Sequence, residues 1–271
     1  MTRAIEQLRR ALRDFPTRIV ACSGGIDSLV LATVAHRAAP GRTVVAHTVT
    51  PAVPADATAR VVAYARREGW HLELVRSAEF DDERYLSNPI DRCYYCKSHL
   101  YDAVAEATAI ASRGHDATVV SGANVDDLGE YRPGLRAAEQ RGVRHPYVEA
   151  GLGKAEVRAI ARHLGLPEAD LPASPCLASR LYTGTRVTAE RLQAVEAGEA
   201  VLRQLAAVDV ARCRIRGDEV LVEVAADDHP KVTAAVLDAV AQAMTAISPS
   251  LGRVSLDDRP YRAGRAVLQA G

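Results

Sequence analysis

RIVACSGGIDSLVLATVAHRAA, residues 18–39, is the stretch that decides the fold of this 271-residue chain. The short apolar run RIVAC at its start predicts a buried strand, whereas LVLATVAHRAA at its end predicts a helix. Between the two lies SGGIDS, residues 23–28, with two adjacent glycines. A strand, a glycine loop and a helix in this order are typical of α/β proteins, whose parallel strands alternate with helices.

The same alternation continues along the chain as far as residue 164. Because strands that alternate with helices pair in parallel, we expect a sheet covered on both faces, with ligands bound beyond the carboxyl ends of its strands. The predicted elements are strands at 43–49, 70–75 and 117–121 and helices at 55–68, 96–112 and 154–164.

A different pattern follows a connector with two prolines at residues 171–184. We therefore predict a parallel-sheet domain at residues 1–180 and a smaller α+β domain, which would bind the substrate, at residues 186–271. The predicted elements of the second domain are helices at 188–205 and 228–246 and strands at 211–215, 220–224 and 252–256.

Composition and charge exclude several classes of protein. The chain has 34 basic and 34 acidic residues, so it lacks the overall positive charge that attracts nucleic acid. Its first residues predict a charged amphipathic helix rather than a signal peptide, and no segment approaches the roughly 20 apolar residues that span a bilayer. We expect a cytoplasmic homo-oligomer that binds a small anion, with no nucleic-acid or membrane partner.

The loop SGGIDS has the features of an anion-binding site. Its glycines allow several backbone N–H groups to converge at a helix N-terminus, and Ser23 and Ser28 add hydroxyl donors. The carboxylate of Asp27 suits such a site only if Mg²⁺ lies between it and a phosphate. The alternative is a simple strand-to-helix turn, in which the serines and the aspartate cap the helix.

The loop resembles the signature of the PP-loop ATP pyrophosphatases. The resemblance implies that domain 1–180 binds ATP and Mg²⁺, adenylylates a substrate with release of pyrophosphate, and lets a nucleophile displace AMP. NVDD, residues 124–127, resembles the second acidic cluster of that family, although an Asx-rich turn would also explain it. The ATP-binding residues that the resemblance implies are Ser23, Gly24, Gly25, Asp27, Ser28 and Asp127, with Asp27 also taking part in catalysis.

Three of the five cysteines suit metal binding. Cys93 and Cys96 form a CxxC pair and Cys176 lies in SPCLASR, and we expect all three at the same end of the sheet. Three thiolates can hold three irons of a [4Fe–4S] cluster and leave the fourth open, whereas zinc needs a fourth ligand, which His99 could supply. The other two cysteines, Cys22 and Cys213, lie in predicted strands and are interpreted as core residues.

Longer strings resemble the LarE family of ATP-dependent sulfur transferases. The resemblance implies that the enzyme converts carboxylates of pyridinium-3,5-dicarboxylate mononucleotide to thiocarboxylates during synthesis of the nickel-pincer nucleotide cofactor. The strings are DRCYYCK (91–97), SGANVDDLGEYRPGLRAA (121–138), VEAGLGKAEVRAIARHLGLP (148–167), ASPCLASR (173–180) and ARCRIRGD (211–218).

The resemblance leaves two sources of sulfur open. In one variant of the family, the cysteine that corresponds to Cys176 gives up its own sulfur and becomes dehydroalanine. In the other, that cysteine and a CxxC pair hold a [4Fe–4S] cluster that carries extra sulfide. The presence of Cys93 and Cys96 resembles the second variant, so the cluster-bearing form is predicted with these three cysteines as ligands.

The phosphate and carboxylates of that substrate call for cations, and Arg180, Arg212 and Arg214 are the candidates. Arg212 and Arg214 alternate on a predicted strand and thus share a face, and a guanidinium group can bind phosphate through two parallel hydrogen bonds. The alternative is a solvated strand face with ordinary surface charge. Glu199 precedes this strand and is interpreted as a helix-surface residue rather than a member of the site.

Three other functions compete with this interpretation. A tRNA-thiolating enzyme could have the same loop and cysteines, but the balanced charge gives no sign of an RNA-binding surface. An amidating ligase would need an ammonia source, and the three cysteines would be unexplained. A nucleotide and metal-cluster sensor without turnover is the third, and substrate-dependent release of pyrophosphate would distinguish an enzyme from it.

Overall fold

The computed structural model describes residues 2–111, 117–129, 132–172, 175–262 and 264–266. Several residues that the sequence analysis used lie outside these ranges, namely Ser112, Glu130, Tyr131, Ala173 and Ser174. The chain divides into two compact units. The first unit comprises Met1–Glu79 and Cys93–Ser174, and the second comprises Phe80–Arg92 and Pro175–Gly271.

The helices and strands alternate in the first unit as the sequence predicts. No helix of the described ranges is long and apolar enough to cross a membrane. In chain order the helices are α1 (Thr2–Leu12), α2 (Ile26–Ala38), α3 (Ala55–Glu68), α4 (Glu83–Leu86), α5 (Arg92–Ala111), α6 (Pro133–Gln140), α7 (Pro146–Glu149), α8 (Lys154–His163), α9 (Ala189–Ala206) and α10 (Ala234–Ile247). The strands are β1 (Arg18–Ala21), β2 (Thr43–Thr48), β3 (His71–Val75), β4 (Thr118–Ser121), β5 (Ala211–Arg216), β6 (Glu219–Val224) and β7 (Val254–Leu256).

The first unit contains a four-stranded parallel sheet in the order β3-β2-β1-β4. Val20 of β1 lies opposite Val45 of β2 and Val120 of β4, and none of the three side chains is exposed. Strands buried on both faces are typical of parallel sheets with helices on either side. The predicted α/β fold class is therefore confirmed for this unit, and the strand bounds agree with the prediction to within two residues.

Helix α2, which follows the glycine loop, lies in the interior of the first unit. Its residues are buried without interruption from Ser28 to His36, so neighbouring elements enclose it rather than covering one face. It contacts α1, α3 and α8 as well as β1 and β2. The loop at its N-terminus therefore rests on a rigid element and on the central strand of the sheet.

His47 of β2 connects the end of β1 to α3. Its Nδ1 lies 2.8 Å from the carbonyl oxygen of Cys22, and its Nε2 lies 2.8 Å from Oγ1 of Thr58. Burial lowers the pKa of His47, while the hydrogen bond to Cys22 opposes that shift. A neutral ring satisfies both contacts, since Nδ1–H donates to the carbonyl and Nε2 accepts from the threonine hydroxyl.

The second unit has a three-stranded sheet in the order β5-β6-β7, with β5 and β6 antiparallel and β6 and β7 parallel. The predicted hairpin and last strand are confirmed. The predicted helix at 228–246 is partly wrong, because residues Ala226–Lys231 form a 3-10 segment that contains Pro230. Proline disrupts an α-helix by removing an N–H donor, and α10 begins only after Thr233 caps its N-terminus.

The bounds of the two compact units differ from the predicted domain limits in two respects, because residues 175–180 and an earlier segment both belong to the second unit. The segment Phe80–Arg92 belongs to the second unit although it precedes most of α5 in the chain. Asn88 in this segment donates from Nδ2 to the carbonyl oxygens of Tyr182, at 2.8 Å, and Thr185, at 2.9 Å. The division at residues 1–180 and 186–271 stays a prediction.

The contacts of His47 predict a pH-dependent stability. Because the folded pKa lies below the unfolded value of about 6.5, protons bind preferentially to the unfolded chain, and stability decreases as the pH falls below that value. His47→Gln should weaken this decrease by up to about 1.4 kcal/mol per pH unit, the limit for one proton. Urea unfolding at pH 7.5 and 5.5 measures the effect.

His71→Gln is the matched control, because the His71 side chain on the adjacent strand is 51% exposed. We expect this variant to keep the pH dependence of the wild type. An unchanged dependence in His47→Gln would contradict the prediction that His47 is held neutral in the folded protein.

Candidate active site

The loop after β1 is folded around the hydroxyl group of Ser28. Ser28 Oγ donates to the carbonyl oxygen of Gly25 at 2.9 Å and accepts from the backbone N–H of Ser23 at 3.1 Å. Gly24 has a φ of +79°, and a Cβ atom there would lie 2.7 Å from the carbonyl oxygen of Ala57. Only glycine suits this position, so the backbone itself requires glycine at residue 24.

The second acidic cluster lies in the loop after β4 and forms a capped 3-10 turn. Asn124 Oδ1 accepts from the N–H of Asp126 at 3.1 Å, and Asp127 Oδ2 accepts from the N–H of Asn124 at 3.1 Å. This is the Asx-rich turn of the alternative interpretation. The other carboxylate oxygen of Asp127 lies 3.0 Å from Arg132 Nη2 and 3.4 Å from Lys154 Nζ. The same turn therefore presents a carboxylate among cations.

Asp27 and Asp127 influence each other electrostatically. Burial raises the pKa of Asp27, and the nearby charge of Asp127 raises it further, while Lys154, Arg158 and Arg132 lower it. The backbone of Asp27 is fixed by Tyr147, whose hydroxyl donates to the Asp27 carbonyl oxygen at 2.8 Å. Two carboxylates that repel each other in a partly buried position are suited to share a cation.

A cavity of about 380 Å³ opens beside these groups, and all of its lining residues belong to the first unit. Cationic side chains, carboxylates and one thiol face the same space. The lining residues include Ser23, Gly25, Asp27, Ser28, Cys93, Lys97, Tyr101, Ser121, Gly122, Asp127, Arg132 and Gly134.

The donor set of the cavity suits Mg²⁺. Among the described residues, no group of three His, Cys, Asp or Glu side chains is arranged to hold a metal ion. Mg²⁺ does not require such a group, since it is commonly bound by one or two carboxylates together with phosphate oxygens and water. Asp27 and Asp127 could supply the two carboxylates, and an anion on the glycine loop would supply the remaining oxygens.

The cysteines of the CxxC pair lie near the N-terminus of α5, which begins four residues before the predicted start. Cys93 is exposed and lines the cavity, and Cys96 is half-buried. Residues three apart on a helix are neighbours on its surface, so the two cysteines lie near each other on α5. Cys176 is also half-buried but belongs to the second unit, where it precedes the 3-10 turn Leu177–Arg180.

The interpretation of Cys22 and Cys213 as core residues is confirmed. Both are buried, at 3% and 0% exposure. Burial raises the pKa of each thiol, so neither is a reactive thiolate at neutral pH.

The three candidate arginines lie in the second unit and are buried rather than solvated. Arg180 forms a bidentate pair with Glu199, with distances of 2.8 Å from Nε and 2.9 Å from Nη2. Arg214 Nε lies 3.0 Å from Glu223, and Arg212 lies 4.0 Å from Glu199. The interpretation of Glu199 as a surface residue is wrong, since it is 2% exposed between α9 and β5.

The burial of these arginines has a structural cause that the sequence does not reveal. Leu181 forms a parallel bridge with Ile215, which covers the outer edge of β5. Arg214 Nη1 donates to the carbonyl oxygen of Ser179 in the same segment at 3.0 Å. Burial lowers the pKa of Arg212, and the charge of Arg180 lowers it further, while Glu199 opposes that shift.

Sequence reasoning missed three residues of the first unit. Lys97, Arg132 and Lys154 place positive charge around the cavity or its carboxylates. Lys154 begins α8, and its backbone N–H donates to Asp126 Oδ2 at 2.6 Å. The position of a lysine at the first residue of a predicted helix gives no sign of this contact, which depends on how α8 packs beside the loop after β4.

Comparison with known proteins identifies the family. An uncharacterized protein of Synechocystis is 37% identical over 220 residues, which cover 81% of this chain and 80% of that protein. The pyridinium-3,5-bisthiocarboxylic acid mononucleotide synthase of Lactiplantibacillus plantarum is 31% identical over 214 residues, covering 79% of this chain and 76% of the synthase.

The chain belongs to the LarE family. An uncharacterized protein of Methanocaldococcus jannaschii is also similar, at 29% identity over 68% of this chain and 69% of that protein. No protein-family model matches the chain. Membership confirms the LarE resemblance that the longer sequence strings predicted, and the cavity with its glycine loop is the candidate active site of this LarE protein.

Proposed function

We propose that this LarE protein is an ATP-dependent sulfurtransferase that converts carboxylates of pyridinium-3,5-dicarboxylate mononucleotide to thiocarboxylates. The product would serve synthesis of the nickel-pincer nucleotide cofactor. The observation that carries the proposal is one cavity bordered by the glycine loop, Asp27 and Asp127, in a chain 31% identical to a synthase of the bisthiocarboxylic acid mononucleotide.

The first step would activate the substrate carboxylate. A carboxylate oxygen attacks the α-phosphorus of ATP, the bond between the α and β phosphates breaks, and pyrophosphate leaves. The loop Ser23–Ser28 would hold the pyrophosphate part through backbone N–H groups at the start of α2. Asp27 and Asp127 would bind Mg²⁺, which when present offsets the charge on the departing pyrophosphate. Lys97 and Arg132 would bring further positive charge to the reacting phosphates.

The second step would transfer sulfur to the activated carbonyl carbon. A sulfur nucleophile attacks this carbon, the bond to the phosphate-bearing oxygen breaks, and AMP leaves with that oxygen. The leaving phosphate explains why ATP is needed, since the oxide of an unactivated carboxylate is a poor leaving group.

Replacement of Asp27 tests the first step. We expect Asp27→Asn to reduce substrate-dependent pyrophosphate release by about 100-fold or more, because one of two metal carboxylates is lost. Asp56→Asn, an exposed carboxylate in the first turn of α3, should leave the rate unchanged. The release is measured with a coupled pyrophosphate assay. Wild-type activity in Asp27→Asn would remove the glycine loop from the mechanism.

The accessible cysteines offer two sources of sulfur. We propose that Cys93, Cys96 and Cys176 bind a [4Fe–4S] cluster, as the sequence predicts. Thiols suit such a cluster, and in α5 Cys93 is exposed while Cys96, three residues later, is half-buried. When bound by three cysteines, the cluster would supply an open iron that carries sulfide. The alternative is Cys176 itself as the sacrificed donor.

Cys93→Ser distinguishes the two sources of sulfur. Protein purified without oxygen should contain iron and sulfide, and this variant should lose both together with sulfur transfer, whereas Cys213→Ala should keep them. Iron analysis, absorption spectra and the mass of Cys176 after turnover provide the measurements. Full activity in Cys93→Ser, with loss of about one H₂S from Cys176, would instead support the sacrificed cysteine.

The second unit would bind the phosphate of the substrate through Arg180, Arg212 and Arg214, as the small α+β domain of a PP-loop enzyme. Arg212 lies 4.0 Å from Glu199, which also pairs with Arg180, so two of the three arginines lie beside one carboxylate. Both Arg212 and Arg214 lie over the ring of Tyr261, at 5.2 Å and 6.0 Å. Such stacking keeps guanidinium groups oriented for a planar, two-point contact with phosphate.

Arg212→Ala should reduce affinity for the nucleotide substrate about tenfold or more, the effect of losing one charge-assisted hydrogen bond. Affinity for ATP should not change, because the glycine loop is in the other unit. Isothermal titration of each ligand measures the two affinities, and thermal unfolding verifies the fold. Normal substrate affinity in a folded Arg212→Ala protein would place the phosphate site elsewhere.

A further inference from the structure

Arg60 of α3 contacts the glycine loop directly. Its Nη1 donates to the carbonyl oxygen of Gly24 at 2.7 Å. Within the described ranges this is the only hydrogen bond of Arg60, and no carboxylate of those ranges forms an ion pair with it. A guanidinium group has five N–H donors, and the one that has a partner within the described ranges binds the glycine loop.

The contact determines the direction of a backbone donor. The carbonyl of Gly24 and the N–H of Gly25 belong to one planar trans peptide and therefore point in opposite directions. When Arg60 holds the carbonyl on one side, the N–H is held on the other. Gly25 lines the cavity, and its N–H has only a long contact, 3.4 Å, with Ser23 Oγ. This donor is therefore available to an anion in the cavity.

The charge of Arg60 also affects the strength of that donor. A cationic donor on a carbonyl oxygen forms a stronger hydrogen bond than a neutral one. Hydrogen bonds in series polarise one another, so a charge on the carbonyl of Gly24 strengthens the N–H of Gly25 as a donor. Arg60 thus acts on the anion site through the intervening peptide and not only through its own position.

Two residues of α3 contact the glycine loop, and a third is connected to the end of β1 through His47. The carbonyl oxygen of Ala57 limits the space at Gly24. Arg60 donates to the Gly24 carbonyl oxygen. Thr58 binds His47, which in turn binds the Cys22 carbonyl oxygen. The other arginines of the helix do not take part. Arg66 is exposed, and Arg67 lies over the ring of Tyr64 at 4.0 Å.

We propose that Arg60 is a positioning residue for the pyrophosphate part of ATP. It orients and polarises the Gly24–Gly25 peptide, whose N–H would bind the β- or γ-phosphate. This inference rests on the proposed function, in which the glycine loop holds pyrophosphate. It adds a specific expectation. The affinity for ligands that contain the β- or γ-phosphate should depend on Arg60, whereas the affinity for AMP, which lacks both, should not.

Titration of four proteins with three ligands tests the proposal. The proteins are the wild type, Arg60→Met, Arg60→Lys and Arg66→Met, and the ligands are ATP, inorganic pyrophosphate and AMP, each with Mg²⁺. Arg60→Met keeps the aliphatic stem and should bind ATP and pyrophosphate about tenfold more weakly, as expected for loss of a charged hydrogen bond. AMP affinity should stay at the wild-type value. Arg60→Lys should recover part of the loss, and Arg66→Met should match the wild type.

The outcomes separate this inference from the proposed function. Wild-type affinity for ATP and pyrophosphate in Arg60→Met overturns the role of Arg60, and so does an equal loss of ATP and AMP affinity, which would indicate general collapse of the loop. Thermal unfolding checks the fold of Arg60→Met. Should that variant fail to fold, Arg60→Lys tests the proposal instead, and a ratio of ATP to AMP affinity equal to that of the wild type overturns the role of Arg60. A wild-type protein that binds neither ATP nor pyrophosphate overturns the proposed function itself.

Discussion

Parallel pairing of β1 with β4 is the constraint on which the candidate site depends. Ala21 at the end of β1 lies opposite Ser121 at the end of β4, so the two following loops begin at the same edge of the sheet. The loops pack closely, since a Cβ atom on Gly122 would lie 3.0 Å from the backbone nitrogen of Ser28. This contact brings Asp27 and Asp127 to one cavity, although they are 100 residues apart in the sequence.

The cost of that arrangement is electrostatic. Burial raises the pKa of Asp27 and the charge of Asp127 raises it further, and the fold offsets the repulsion with Arg132 and Lys154. A structure selected only for stability would gain little from such a cluster, because buried like charges are unfavourable. A cluster of carboxylates and cations around one cavity suits a site that binds a cation together with an anionic ligand.

In the second unit, the buried charges are arranged as ion pairs of opposite sign. Arg180 and Glu199 form a buried bidentate pair, and Arg214 and Arg265 both contact Glu223, which has no exposed surface. Removing one member of such a pair leaves the other buried and unpaired, at a cost of about 3–5 kcal/mol. The same arginines are thus part of the packing of the unit, which is why substitutions there require a separate check of folding.

The sequence by itself determined the α/β fold, the glycine loop and the family, because hydrophobic period, Gly-Gly and longer motifs are local features of the chain. It also indicated core positions for Cys22 and Cys213, which the structure confirms. Only the tertiary structure decided that Glu199 is buried and that Arg60 reaches the Gly24 carbonyl. These contacts join residues from separate elements, and their formation depends on helix packing that no local pattern encodes.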